Sequence, residues 1–136
     1  KYRWLSSRSS RMENGTRSYS WIHVTGDTTK KRAYLTEGPL KGDIASYFAN
    51  NALFVCLGGV NANKGLRETL LSLGVTEVME AMDMDQFTNP QVRQAVLTLR
   101  REVQLIPGIR YYQCTWNPRF KGVDDYLLDW TKRKTA

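Results

Sequence analysis

Five carboxylates lie in segments of this sequence where they can act together: Glu37 in TEG, Asp83 and Asp85 in MDMD, and Asp124 and Asp125 in GVDD. Carboxylates crowded into one crevice repel, and one must hold a proton unless a cation neutralises them. A bound divalent ion is the simplest resolution. Hard oxygen donors without His or Cys favour Mg²⁺ or Mn²⁺, and Mg²⁺ commonly takes one or two carboxylates, leaving positions for water and substrate phosphate. The one-residue gap between Asp83 and Asp85 lets both side chains of an extended segment point the same way. Lys41, Lys64, Arg119 and Lys121 share these segments and can contact phosphates while the ion works on the scissile one.

Other chemistries fit less well. In LGGVNANKG, aligning Gly58 as the first P-loop glycine puts Asn63 at the second glycine and Gly65 at the hydroxyl, so a Walker nucleotide site is rejected. The loop's glycines read as tight-turn residues. Cys56 and Cys114 sit in apolar runs with no metal-ligand spacing, which excludes zinc and favours buried thiols. The single histidine, His23, alternates with apolar neighbours in WIHV and reads as a strand residue, leaving no base for Ser-His or Cys-His catalysis.

Charge is unevenly spread along the 136 residues, whose net value is +7. Residues 1–32 carry eight Lys and Arg against two acids, Glu13 and Asp27, and Lys132, Arg133 and Lys134 close the chain, whereas residues 33–131 hold nine bases and eleven acids. A basic surface around a mildly acidic centre suits a protein that binds a polyanion and holds a cation. No stretch approaches the roughly 18–20 apolar residues of a membrane span, and the polar start has no signal-peptide apolar run. The expectation is a soluble, cytoplasmic protein without a membrane partner.

These side chains need a scaffold, and the hydrophobic rhythm supplies one. After a basic, irregular lead-in over 1–18, strands are expected at 18–24, 32–36, 52–57, 75–82 and 109–116, with helices at 39–51, 64–74, 89–104 and 123–134. Pro39 and Asn89-Pro90 mark helix starts, and Leu66, Leu70 and Leu73 recur at helical spacing. Alternation of this kind predicts one α/β domain over 19–131 with a mainly parallel central sheet, helices on both faces, and a basic tail at 132–136. Parallel strands bring their carboxyl ends to one edge, where the acidic loops meet.

The residues also resemble a known family. Glu37-Gly38 after a hydrophobic strand, Asp83-x-Asp85 after a later one, and Lys121-Gly122-Val123-Asp124-Asp125-Tyr126-Leu127 look like the three signatures of the Toprim domain of topoisomerases, bacterial primases and related nucleases. More closely, residues 19–131 are similar to the Toprim-like domain of unknown function in primase-helicase type replication proteins of phages, plasmids and integrative elements. That resemblance implies a Toprim-like fold, Glu37 as general acid/base and metal-supporting residue, Asp83 and Asp85 as Mg²⁺ (or Mn²⁺) ligands, and Lys121 as a catalytic cation supported by Asp124 and Asp125. Primases usually carry an aspartate four residues after the glutamate. Here that position is Lys41, with Asp43 two further on, and Gln86 and Phe87 replace the small residues that often follow the aspartate pair.

The expected activity is Mg²⁺-dependent phosphoryl transfer, nucleotidyl transfer or nuclease, in a mobile-element DNA replication protein, with nucleic acid as partner, DNA before RNA, and a helicase or other domain of the full-length protein as the second. The alternative is a module of the same fold that docks nucleic acid or a helicase without chemistry. A phospho-acceptor receiver domain would need an adjacent acid pair after its first strand, where this chain has only Glu37.

Overall fold

The computed structural model describes residues 21–135, so the expected lead-in over 1–18 and the start of the first expected strand lie outside them. The described chain runs β1 (His23–Thr25), β2 (Arg32–Glu37), α1 (Pro39–Phe48), β3 (Leu53–Leu57), α2 (Leu66–Ser72), β4 (Glu77–Glu80), a 3₁₀ turn (Met84–Phe87), α3 (Pro90–Gln104), β5 (Arg110–Gln113) and α4 (Val123–Thr135). The basic residues expected as a tail, Lys132 to Lys134, form the last turn of α4.

One five-stranded sheet has the order β1-β3-β2-β4-β5. β3, β2, β4 and β5 are mutually parallel, and β1 joins antiparallel at the β3 edge. The α/β reading with a mostly parallel sheet therefore holds. β3 has five consecutive buried residues, because both of its faces are covered. Leu53, Val55 and Leu57 face a core built with Leu66 and Leu70 of α2 and with Val96, Leu99 and Val103 of α3. Phe54 and Cys56 face the opposite core with Ala45 of α1 and Val123 at the start of α4.

Local sequence explains the helix starts. Pro39 opens α1 at a position where no intrahelical N–H is required. The Asn89 side chain caps α3 by accepting from the N–H groups of Gln91 (3.0 Å) and Val92 (3.4 Å). Within α1, Gly42 is buried against Cys56, and a methyl group at its Cα would overlap Sγ. That close approach seats α1 directly on β3.

The connections fix where the crevice forms. From β2 the chain passes through α1 to β3 on one side, and from β4 it passes through α3 to β5 on the other. Right-handed crossovers running in opposite directions place their helices on opposite faces, so the loops after the adjacent strands β2 and β4 part company. A crevice opens between such loops at the carboxyl edge, the topological switch point.

Candidate functional site

Glu37 is the last residue of β2, and Asp83 is the third residue after β4, so both stand at that switch point. Gly38 turns the chain away after Glu37 with φ 89°, a conformation that suits a residue without Cβ, and donates its N–H to the carbonyl of Leu57 at 2.7 Å. On the β4 side, Ala81 N–H donates to Leu35 (2.8 Å), and its carbonyl accepts from the buried Thr36 hydroxyl (3.0 Å). These bonds hold the two strand ends together beyond the regular ladder. The loop after β5 is fastened to the same place by the Met84 N–H, which donates to the Lys121 carbonyl at 2.9 Å.

Three acids and two lysines converge. Asp83, only 9% exposed, pairs through Oδ1 with Nζ of Lys41 from the first turn of α1. Its other oxygen lies 3.7 Å from Lys121 Nζ, which approaches Asp85 Oδ2 at 3.2 Å. Burial pushes the half-buried Glu37 carboxyl above its ordinary value, Asp83 and Asp85 push it further, and Lys41 and Lys121 partly offset them. The hydrogen bond to Asp85, with the charges of Asp85 and Asp83, raises Lys121. The cluster is thus a nearly self-neutralised group in which carboxylates and ammoniums alternate.

The other expected residues are arranged differently. Asp124, in the first turn of α4, has a buried Oδ1 without a hydrogen-bond partner. Burial and the neighbouring Asp125 push its carboxyl up, with Lys41 opposing. Asp125 and Lys64 are exposed, and Lys64 occupies the loop before α2. Arg119 turns to α4, where it meets Asp129 at 3.1 Å and lies 4.4 Å over the Phe120 ring. Five carboxylates in one crevice therefore reduce to three, with Asp124 at the margin beside Lys41. His23 lies on β1, where its Nε2 is 2.8 Å from Asp43 Oδ1. Cys56 is buried and Cys114 half-buried, both as free thiols.

Two hard carboxylates with a third nearby are the donor chemistry Mg²⁺ takes when water completes its shell. In this arrangement, however, the ammonium groups hold the oxygens an ion would use. Among the described residues no three His, Cys, Asp or Glu side chains converge as ligands of one ion. The donor types suit the ion, and the Lys41 and Lys121 contacts with Asp83 must open to admit it.

One buried group escaped the sequence reading. Glu80, 0% exposed on β4, accepts from Arg100 Nε and Nη2 of α3, both at 3.0 Å, and from the Tyr111 hydroxyl of β5. The signal was present: alternation puts Glu80 on the same face as Val78, and Arg100 follows Leu99 in the buried stripe of α3. A carboxylate on a covered face needs a cation from the covering helix.

Compared with known proteins, the chain matches no family model and no curated protein. Among the described residues no helix is long and apolar enough to cross a membrane.

Proposed function

We propose that the chain is a Toprim-like module that carries out Mg²⁺-dependent phosphoryl transfer on nucleic acid, as a nucleotidyl transferase or nuclease of a DNA replication protein. The observation that carries this reading is the meeting of Glu37, Asp83 and Asp85 with Lys41 and Lys121 at the carboxyl ends of two adjacent parallel strands. Asp83 and Asp85 would hold the ion with Glu37 beside them, and a bound Mg²⁺ supplies charge stabilisation at the phosphoryl oxygens. A substrate phosphate offers Lys41 and Lys121 an alternative anion, which frees Asp83 from its present partners. Glu37 manages the proton of the attacking or leaving hydroxyl from the end of β2. Lys64 extends the phosphate-binding rim, and Arg119 joins it only on leaving Asp129.

Calorimetry with Mn²⁺ tests the assignment: Asp83→Asn with Asp85→Asn should abolish binding while the circular dichroism spectrum stays that of the parent. Unchanged binding would remove the metal site. Incubation with labelled single strands, Mg²⁺ and nucleotides tests the chemistry, through cleavage or extension that disappears in Glu37→Gln.

A second reading, docking of nucleic acid or a helicase without catalysis, draws support from the Lys41–Asp83 pair, since a carboxylate neutralised by the protein's own lysine needs no ion. Retained nucleic-acid binding with no turnover in any metal would select it.

A further inference from the structure

The sheet carries a second feature, which uses none of the acids or lysines above. Register places Phe54, Tyr34, Met79 and Tyr112 in one row across β3, β2, β4 and β5, on the face that α1 and α4 cover. The cover is incomplete. Phe54 is buried, Tyr34 and Met79 are half-buried, and Tyr112 is 43% exposed, so the row emerges into solvent toward the β5 edge. Tyr34 stacks on Phe54 with ring centroids 5.1 Å apart. These two rings also line a cavity of about 270 Å³ together with Trp116 and Tyr126, themselves stacked at 6.2 Å.

The preceding row on this face is charged. Arg32, Glu77 and Arg110 are in register, with Glu77 accepting from Arg32 Nε and from Arg110 Nη2, both at 2.7 Å. Two exposed guanidiniums against one carboxylate leave a positive margin beside the aromatic row. A strip of rings edged by arginines, in a chain of net charge +7, complements a ligand with flat apolar faces and a phosphate backbone. A protein partner would meet unneutralised positive charge along the same margin.

We propose that this open half-face binds single-stranded nucleic acid, with bases stacked on Tyr112 and Tyr34 and entering the adjoining cavity, and with Arg32 and Arg110 on the phosphates. The inference shares with the proposed function only the class of ligand, and it needs no metal ion.

Fluorescence anisotropy of a labelled oligo(dT) with the 136-residue chain in EDTA tests it. The parent should bind the single strand more tightly than the same sequence as duplex. Loss of one base–ring stack in Tyr112→Ala should weaken binding by about 5- to 150-fold, and Tyr112→Phe should restore it. Arg110→Ala, also at an exposed position, should weaken binding and reduce the slope of log affinity against log salt by about 0.7. No single-strand binding in EDTA, an unaltered affinity in Tyr112→Ala, or equal losses in the Ala and Phe variants would overturn the proposal. Tyr112→Ala should bind Mn²⁺ in calorimetry as the parent does, so loss of the metal site and loss of this surface are read separately.

Discussion

The amide of Met84 donates to the carbonyl of Lys121 across 2.9 Å, and this main-chain bond ties the loop after β5 to the loop after β4. Lys121 is therefore delivered to Asp83 and Asp85 by backbone geometry, and its own ion pairs do not have to hold the loops together.

Lys121→Ala should accordingly be nearly silent in stability. The side chain is 66% exposed, and pairs of that kind contribute about 0–1 kcal/mol. Urea unfolding should shift by less than about 1 kcal/mol, while turnover of a labelled strand collapses. A large loss of stability would show that the ion pairs, rather than the Met84 bond, secure the loop.

Lys41 is different because Asp83 is buried. Lys41→Met leaves that carboxylate without its nearest counter-charge, a loss of about 1–3 kcal/mol when measured in EDTA. Mn²⁺ should then raise the melting temperature of Lys41→Met more than that of the parent, since the ion no longer competes with an ammonium. Equal shifts in the two proteins would separate Lys41 from the ion's position.

Among the described residues Arg100 supplies the charge-bearing partner of Glu80, which sits fully buried beneath α3. Arg100→Met should cost about 3–5 kcal/mol in urea unfolding, because an uncompensated carboxylate remains inside. Adding Glu80→Gln should recover much of the loss. A double variant no better than Arg100→Met would assign the cost to packing.

Gly42→Ala should destabilise by about 1–3 kcal/mol, the range for forcing extra volume into a filled core. The overlap is with Cys56 Sγ, so Cys56→Ala should rescue it. Failure to rescue would place the strain in the helix backbone.

Alkaline pH should unfold the protein earlier than surface ionisation alone would. Burial pushes the Cys56 thiol up to about 12, and burial with the Glu80 charge raises the Tyr111 hydroxyl far above its ordinary value. The unfolded chain releases the Cys56 proton near its ordinary 9, before the folded one does. Stability is thus intact below about pH 9 and falls as pH rises toward 12. Cys56→Ala should flatten that fall in urea titrations between those values.

Much of this architecture was legible in the sequence because single residues marked it. Pro39 and Asn89 open α1 and α3 where capping chemistry places them, and the run from Leu53 to Leu57 is apolar on both faces, as a central parallel strand must be. The antiparallel direction of β1 has no local signature, since pairing is decided by which edge of β3 remains free. In the site, the sequence identified Glu37, Asp83 and Asp85 as neighbours but not the lysines' place among them. Lys41 and Lys121 read as phosphate ligands, and their seating on Asp83 depends on how far α1 and the β5–α4 loop lean over the strand ends. Arg119 turns elsewhere for a similar reason: it pairs with Asp129, in the second turn of α4. The aromatic row was invisible because its members come from four strands and align only through register.

Both margins of the sheet are brief, three residues in β1 and four in β5. A long, flat, apolar outer strand is a template on which another chain's backbone can assemble, and a short one beginning with Arg110 offers few successive amides and carbonyls for that purpose. The molecule can therefore leave Tyr112 in the open at its rim with little tendency to stack into fibrils, a safeguard that lengthening β5 by engineering would erode.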